Sequence, residues 1–472
     1  MNAPYTCRGV QPQPMSRRQL LQTVAAGFGW MAFSGVAAKG AEPLAKALDS
    51  SAPLGVRAPH FKPLAKRVIF LCMQGGPSHL DTFDYKPQLQ KDAGKAGPSR
   101  GGGGELIGSP FSFQQHGQSG LWISELFPHV ARHADRLCLV RSMHTDIPNH
   151  PQAFVQLHTG SSQFIRPSMG AWVLYGLGTE NENLPGFITL SPPLQFGAQN
   201  FGSAFLPAVY QGTRIGALRE GNPSASLGNI ENRLLTNPQQ RRQLDLVQAM
   251  NRDFLHTTDG HAEVEGVIQS YELAFRMQAQ VPELLDLKGE SPDTLARYGV
   301  GDAPTDSFAR QCLLARRFAE RGVRFIEVNH GGWDQHQNLE SALRRNCRAI
   351  DRPIGALLSD LQSRGMLDDT LVVWGGEFGR TPDSRRPDGR DHNAKGFTFW
   401  MAGGGVRPGH SFGSTDEYGS KAVENAVHVH DLHATLLHLL GLDHERLTYR
   451  YGGRDHRLTD VKGSVVKGIV RA

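Results

Sequence analysis

Short runs of wholly apolar residues, separated by segments with helical periodicity, constrain the fold of this chain more than any other feature of its sequence. The first run, Arg67–Met73, is closed by two glycines and a proline. Continuous apolar runs of this length are typical of strands buried on both faces of a parallel sheet. Similar runs recur at Leu137–Arg141, Arg324–Val328, Thr370–Trp374 and Phe397–Ala402. The alternation predicts an α/β fold with a mainly parallel central sheet flanked by helices.

The segments between these runs predict helices and a single large domain. Helical spacing is found at Ile123–Ala134, Ser307–Arg321, Leu339–Arg364 and in a segment that begins near His430. Residues 229–297 combine charged, helix-forming residues with apolar positions at helical spacing, which predicts a helical insertion packed on the sheet. We expect one domain over residues 66–472. A Pro- and Ala-rich linker at 42–65 either wraps its surface or stays mobile.

The N-terminus has the pattern of a twin-arginine export signal over residues 1–41. Arg17 and Arg18 precede an uncharged, mostly apolar run from Val24 to Ala38. A membrane anchor is the alternative, but the run is about 15 residues long and a spanning helix needs about 20. The pattern therefore predicts the twin-arginine translocase as a partner, a periplasmic or extracellular location, and no stable membrane span after cleavage.

Charge and cysteine content exclude two further classes. The chain has 50 basic and 45 acidic residues, and four of the basic ones lie in the leader, so the mature protein is close to neutral. No long basic run remains, which argues against nucleic-acid binding. The remaining cysteines stand in apolar or helical sequence without Cys-x-x-Cys spacing and are expected in the core rather than in disulfides or a zinc site: Cys72, Cys138, Cys312 and Cys347.

Polar clusters follow the later predicted strands, where open α/β sheets bind their ligands. In chain order they supply Asp334 and His336, Glu377 and Arg380, and Asp391 and His392. Carboxylates and imidazoles in this mixture suit a divalent cation such as zinc, manganese, iron or magnesium. Each histidine taken alone is better explained as an ordinary solvated loop residue, so the hypothesis depends on the three clusters lying together.

The same segments resemble the alkaline phosphatase and sulfatase superfamily. The run that ends in Glu377 is similar to its strand and Asp-His-Gly segment, with Glu377 at the aspartate ligand and Phe378 at the histidine ligand. Asp334 and His336 resemble the preceding metal-binding pair at a shorter spacing, and His392 resembles the last histidine ligand. The resemblance implies a divalent metal held by Asp334, His336, Glu377 and His392.

The N-terminal half matches this superfamily in order but differs in chemistry. Asn149–Gly160 resembles the nucleophile helix of alkaline phosphatases, and the nucleophilic serine falls on His150. Gln74 stands where the first strand of the superfamily ends in a metal-binding aspartate. The segment from His430 to Leu442 is similar to the C-terminal helix of sulfatases, but the sequence contains no Cys-x-Pro-x-Arg sulfatase signature.

The loop after Gln74 offers alternative ligands at His79, Asp81 and Asp84, although Ser78 and Asp81 could simply cap a helix.

A closer resemblance is to the bacterial family called domain of unknown function 1501, whose members often carry twin-arginine signals. Three segments carry it: Gly75–Asp84, Gly332–His336 and Gly376–Pro382. This resemblance runs from about residue 66 to the end and implies a sulfatase-like fold without an agreed activity.

Two functions are compatible with these residues. One is metal-dependent hydrolysis of a phosphate or sulfate ester, small or polymeric, in which the attack comes from the His150 imidazole or from water on the metal. Arg380 would then neutralise the equatorial oxygens of the ester. The other is a non-catalytic metal- or ligand-binding protein on the same fold, which the substitutions at Gln74 and Phe378 favour.

Overall fold

The computed structural model describes residues 53–97, 104–193, 197–216, 234–257 and 262–471. The predicted leader, including Arg17 and Arg18, and the first part of the linker lie outside these residues. The described part of the linker is hydrogen-bonded to the domain. The backbone N–H groups of Arg57 and Leu64 donate to the carbonyls of Leu177 and Leu439 at 2.9 Å.

A nine-stranded sheet forms the centre of the molecule. Its strands are β1 (Arg67–Met73), β2 (Leu137–His144), β3 (Phe187–Leu190), β4 (Thr213–Ile215), β5 (Phe325–His330), β6 (Thr370–Gly375), β7 (Phe397–Ala402), β8 (His410–Phe412) and β9 (Val427–His428). The order is β8-β2-β7-β6-β1-β5-β3-β4, and β9 pairs with β2. Only β7 runs antiparallel to its neighbours in this sheet. The predicted mainly parallel α/β sheet is thus confirmed.

The alternation of side chains along β1 explains why the sheet is buried on both faces. Ile69, Leu71 and Met73 belong to one apolar layer, and Val68 and Phe70 belong to the other. All five side chains are at most 2% exposed. Complete burial of a large apolar side chain stabilises the fold by about 1.5–3 kcal/mol. A run without polar residues therefore suits a central strand that has helices on both faces.

Nine α-helices surround the sheet in the described ranges: α1 (Pro87–Lys91), α2 (His150–Thr159), α3 (Met169–Leu177), α4 (Asn237–Thr257), α5 (Ala262–Leu285), α6 (Pro292–Tyr298), α7 (Asp306–Glu320), α8 (Leu339–Ser363) and α9 (Val429–Leu439). Cys312 of α7 and Ile350 of α8 enter the apolar layer on one face of the sheet. Phe154 of α2, Trp172 of α3 and Leu436 of α9 enter the layer on the other face.

The predicted helix at Ile123–Ala134 is wrong. Leu121–Ser124 forms a hairpin with Phe113–His116, and a 3-10 helix follows at Val130–Arg136. Ile123 is buried while Trp122 is 39% exposed, which is the two-residue period of a strand. Pro128 then prevents a continuous helix across the segment, since a proline inside a helix lacks the N–H donor.

The segment predicted as a helical insertion contains α4, α5 and α6, while residues 229–233 and 258–261 lie outside the described part. Its status as an insertion, and the division of the chain into leader, linker and one domain, stay predictions.

Among the described residues, no helix has the length and apolar character needed to span a membrane. Cys72, Cys138, Cys312 and Cys347 are buried and free, as the core interpretation predicted.

The strand register places three loops at one edge of the sheet. Met73 of β1 pairs with His330 of β5, and Cys72 pairs with Gly375 of β6. The carboxyl ends of β1, β5 and β6 are therefore level with one another in the sheet. The segments that follow these three strands start side by side. The polar clusters predicted from the sequence lie in two of these segments.

Candidate metal centre

Close backbone packing brings the loops after β1, β5 and β6 together. Gly75 has a φ of +111°, and a Cβ atom there would lie 2.6 Å from the backbone nitrogen of Asp334. A Cβ atom on Gly389 would lie 1.9 Å from the carbonyl oxygen of His336. Gly379–Arg380 pairs with the short strand His392–Asn393. The glycines thus permit a contact between loops that no larger residue could make.

One carboxylate oxygen, Oδ1 of Asp334, is the centre of the site. Nη2 of Arg380 donates to it at 2.7 Å. Nε2 of His150 and Nε2 of His336 each lie 3.1 Å from it, and Nε2 of His392 lies 3.2 Å from it. The Nε2 atoms of His336 and His392 are also only 2.9 Å apart. Three imidazoles from distant parts of the chain therefore turn the same ring nitrogen toward one oxygen.

Each imidazole is held from behind by an acceptor at Nδ1. The acceptors are Glu377 for His150 at 2.6 Å, Asp391 for His336 at 3.0 Å and the carbonyl of Pro148 for His392 at 2.9 Å. Because carboxylate and carbonyl oxygens only accept, each Nδ1 carries a proton, and Nε2 is the ring atom left to bind either a second proton or a metal cation. An acceptor behind the ring is the usual arrangement for metal-binding histidines, because it fixes their orientation.

His150 is enclosed by aromatic and acidic groups. Its ring centroid lies 4.7 Å from that of Phe378 and 4.2 Å from that of His392. Burial by itself would lower the pKa of His150, but the carboxylates of Asp334 and Glu377 outweigh burial and raise the pKa to about 9. Its Nε2 atom is buried and has no aligned hydrogen-bond partner, despite the short distance to Asp334. Without a cation, this ring binds a proton instead.

Asp334 stays ionised in this environment. Burial alone would raise its pKa, but the side chains of His150, His392 and Arg380 hold the pKa well below its usual range. The guanidinium of Arg380 is fully buried and also donates to the backbone carbonyls of Gly75 and Gly76. Arg380 therefore fixes the position of the carboxylate.

The four predicted metal ligands lie in one region, but only three of them meet at Oδ1 of Asp334. Asp334, His336 and His392 contact one another directly. Glu377 lies behind His150 and is fully buried, and both of its oxygens also accept from the N–H of Gly75, at 3.0 and 3.2 Å. Its oxygens therefore contact His150 and the backbone rather than Asp334, and the assignment of Glu377 as a ligand stays a prediction.

The two predicted catalytic residues, His150 and Arg380, both lie against Asp334. His150 cannot attack an ester in this conformation, because its Nε2 is buried and faces Asp334. Arg380 cannot contact the equatorial oxygens of an ester, because its guanidinium is buried among backbone carbonyls. The catalytic roles of both residues therefore stay predictions that need another conformation of these side chains.

The alternative ligands after Gln74 have other partners. Asp81 forms a buried ion pair with Arg390 at 2.8 Å, and Ser78 donates to the same carboxylate. Asp84 pairs with Lys86 at 3.2 Å, and His79 contacts the carbonyl of Gly419. Gln74 itself donates to Asn329 at 3.0 Å. These groups support the loops and do not reach Asp334.

The sequence did not predict two of the groups that accept the Nδ1 protons of the histidines. Asp391 was noticed as an acid beside His392, but its contact with His336 depends on a pairing between loops 55 residues apart. The carbonyl of Pro148 leaves no signal in the side-chain sequence, because any residue supplies a carbonyl oxygen.

The donor set fits a divalent cation. His150, Asp334 and His392 each offer one ligand atom, and these three atoms lie within 4.8 Å of one another. Tetrahedral bonds of about 2.0–2.1 Å would separate neighbouring ligand atoms by about 3.3 Å. The observed distances from Oδ1 of Asp334 to the two imidazole nitrogens are 3.1 and 3.2 Å. Small shifts would therefore accommodate an ion between them.

Comparison with known proteins gives a family and a set of structural neighbours. The family model described as "Protein of unknown function (DUF1501)" matches residues 65–470. No curated protein matches the chain in sequence. Solved structures similar to the chain include the PsFucS1 sulfatase from Pseudoalteromonas sp., with 12% identity, 91% of this chain and 72% of that chain covered, and a TM-score of 0.36.

A second similar structure is a protein in the alkaline phosphatase superfamily from Vibrio parahaemolyticus, with 11% identity, coverage of 91% and 76%, and a TM-score of 0.33. A third is the lipoteichoic acid synthase LtaP from Listeria monocytogenes, with 10% identity, coverage of 84% and 78%, and a TM-score of 0.31. At these values the likeness does not extend to the substrates of those proteins.

Proposed function

The chain belongs to the DUF1501 family, and we propose that it is an exported hydrolase of phosphate or sulfate esters that depends on a divalent metal. Asp334, His392 and His150 hold the cation, and His336 completes the ligand set. The cation is zinc, manganese, iron or magnesium, since the donors are nitrogen and oxygen atoms.

One observation carries the proposal, namely the convergence of three imidazole Nε2 atoms on Oδ1 of Asp334. Nε2 of His336 and Nε2 of His392 lie 2.9 Å apart beside a carboxylate oxygen, and Nδ1 of each ring is already paired with an acceptor. Electron-rich atoms repel at this distance unless a proton or a metal cation lies among them. A divalent cation satisfies all of these donors at once, whereas a single proton satisfies one pair.

A bound cation would polarise the ester oxygen and make a water molecule more acidic. The residues of the chain fix the geometry for this chemistry. Glu377 holds the Nδ1 proton of His150, Asp391 holds that of His336, and Arg380 holds the carboxylate of Asp334. Because Nε2 of His150 is buried, water is the attacking nucleophile in this proposal.

The proposal is tested by metal content and hydrolysis together. The purified protein should contain a cation at this centre and hydrolyse an aryl phosphate or an aryl sulfate when that cation is present. The double variant Asp334→Ala/His392→Ala should lose both properties while it keeps its circular dichroism spectrum. His116→Ala, on the hairpin strand Phe113–His116, is the matched control. Equal metal content and equal hydrolysis in the double variant would refute the proposal.

A second function, that of a non-catalytic metal-binding protein, is favoured by one observation. The guanidinium of Arg380 is fully buried and engaged, so this arginine cannot neutralise the charge of an ester anion. Stoichiometric metal that depends on Asp334 and His392, without turnover of either ester class, would support this function over hydrolysis.

A further inference from the structure

A second group of metal-binding residue types lies inside the molecule, between the sheet and α2. It consists of Cys72 on β1, His158 on α2 and Glu327 on β5. The side chains of all three residues are fully buried. None of them takes part in the centre around Asp334, and the spacing of the cysteines along the sequence gave no sign of this group.

The three ligand atoms face one another. Nε2 of His158 lies 4.0 Å from Sγ of Cys72 and 3.4 Å from Oε2 of Glu327. Nδ1 of His158 donates to the carbonyl of Phe154 at 2.8 Å. Nε2 of His158 therefore faces the thiol and the carboxylate and is the ring atom available to a metal cation, as in metal-binding histidines.

The carboxylate of Glu327 is a second observation that points to a cation in this cluster. Its Oε2 is buried and has no hydrogen-bond partner, and its Oε1 has only a long contact of 3.4 Å with the hydroxyl of Thr189. The surroundings are aromatic, because the rings of Phe70 and Phe154 lie 5.9 and 4.4 Å from His158. An under-solvated carboxylate in such surroundings is unfavourable unless a positive charge lies close to it.

We propose that Cys72, His158 and Glu327 form a structural site for Zn²⁺ or a similar cation, separate from the proposed hydrolytic centre. A thiolate, a carboxylate and a neutral imidazole around a divalent cation sum to zero charge, which suits an apolar interior. Tetrahedral bonds of about 2.0–2.3 Å would separate these ligand atoms by about 3.3–3.6 Å. The sulfur must therefore move a few tenths of an ångström toward His158.

Because this site is fully buried, a cation can reach it only while the protein folds. The ligands come from two strands and a helix that pack together in the folded protein, so the ion must bind before this packing is complete. Metal binding at such a site contributes to folding itself.

Cobalt distinguishes this site from the hydrolytic centre, which contains no sulfur. The full chain is expressed in medium supplemented with Co²⁺, so that metal enters during folding. We expect a thiolate-to-cobalt charge-transfer band in the near ultraviolet and one equivalent of cobalt beyond the centre at Asp334. Cys72→Ser should lose the band and that equivalent. Cys138→Ser, another buried free cysteine, and Asp334→Ala should keep the band.

The parent protein alone can overturn the proposal. If it shows no charge-transfer band, the cluster is instead a protonated His158 paired with Glu327 beside a neutral thiol. A band that persists in a folded Cys72→Ser variant would assign it to another cysteine. Loss of the centre at Asp334 leaves this test unaffected, because metal at the buried site is measured through its sulfur.

Discussion

Glu377 illustrates how a charged residue can serve a metal centre without contacting the metal. Its carboxylate is fully buried, accepts the Nδ1 proton of His150 and is anchored by the N–H of Gly75. The pair resembles the carboxylate and histidine arrangement found behind many metal sites. Glu377 therefore governs which nitrogen of His150 faces Asp334.

We predict that Glu377→Gln weakens metal binding about 10- to 100-fold, the range for loss of such a supporting acceptor. The amide keeps the shape of the side chain but holds the ring less strongly. Competition with a chelator measures the affinity, and Glu424→Gln on an outer hairpin is the control. An unchanged affinity in Glu377→Gln would show that Glu377 does not position His150.

At the same scale, the sequence predicted the residue types of the site better than their roles. Asp334, His336 and His392 were recognised because glycine-rich loops follow buried strands. The roles of Glu377 and Arg380 depend on whether each side chain faces the centre at Asp334 or lies buried behind it. Packing between distant loops decides this position. The contact of His150 with Glu377 spans 227 residues, so no local pattern indicates it.

Among the elements, the predicted strands and most of the predicted helices are found, and the helix at Ile123–Ala134 is the exception. β1, β6 and β7 appear where continuous apolar runs placed them, within one residue. The reversed direction of β7 could not be predicted, because an apolar run reads alike in both directions. The error at Ile123–Ala134 arose because a short hairpin followed by a 3-10 helix contains the same residue types as an amphipathic helix.

The loops that carry the site should tolerate little change in their packing. We predict that Gly389→Ala abolishes metal binding without unfolding the domain, because its Cβ would lie 1.9 Å from the carbonyl oxygen of His336. Gly289→Ala is the matched control, since no atom lies within 4 Å of a Cβ there. Metal content and thermal unfolding are measured for both. Full metal content in Gly389→Ala would contradict the tight loop packing described above.

For the whole molecule, buried histidines predict sensitivity to acid. Burial lowers the pKa of His330 to about 4. Burial, and then the neighbouring His430, lower the pKa of His433 to about 3. Below their ordinary pKa of 6.5, the unfolded chain binds more protons than the folded one, so stability falls as pH decreases toward 4.

The expected loss approaches about 1.4 kcal/mol per pH unit for each histidine within this window. Urea unfolding of the metal-free protein at pH 7 and pH 5 measures it. His433→Gln keeps an N–H donor for the carbonyl of Leu157 and should reduce the difference between the two pH values. A difference that is equal in the parent and the variant would contradict the contribution of His433.

Export also concerns the whole molecule. We predict that replacement of Arg17 and Arg18 by lysine leaves a full-length precursor in the cytoplasm, because the paired arginines are the recognition element of the signal. Arg385 and Arg386 replaced by lysine serve as the control pair. Immunoblots of cell fractions report the outcome. Normal amounts of processed protein outside the cytoplasm would refute the twin-arginine assignment.

The most direct test of the central claim is X-ray absorption at the metal edge of the Cys72→Ser protein, which lacks the second proposed site. The account predicts nitrogen and oxygen donors at about 2.0–2.2 Å with the outer scattering of imidazole rings. It also predicts that this signal disappears in Asp334→Ala/His392→Ala. A bound metal without imidazole scattering, or an unchanged spectrum in the double variant, would contradict a metal centre built on Asp334.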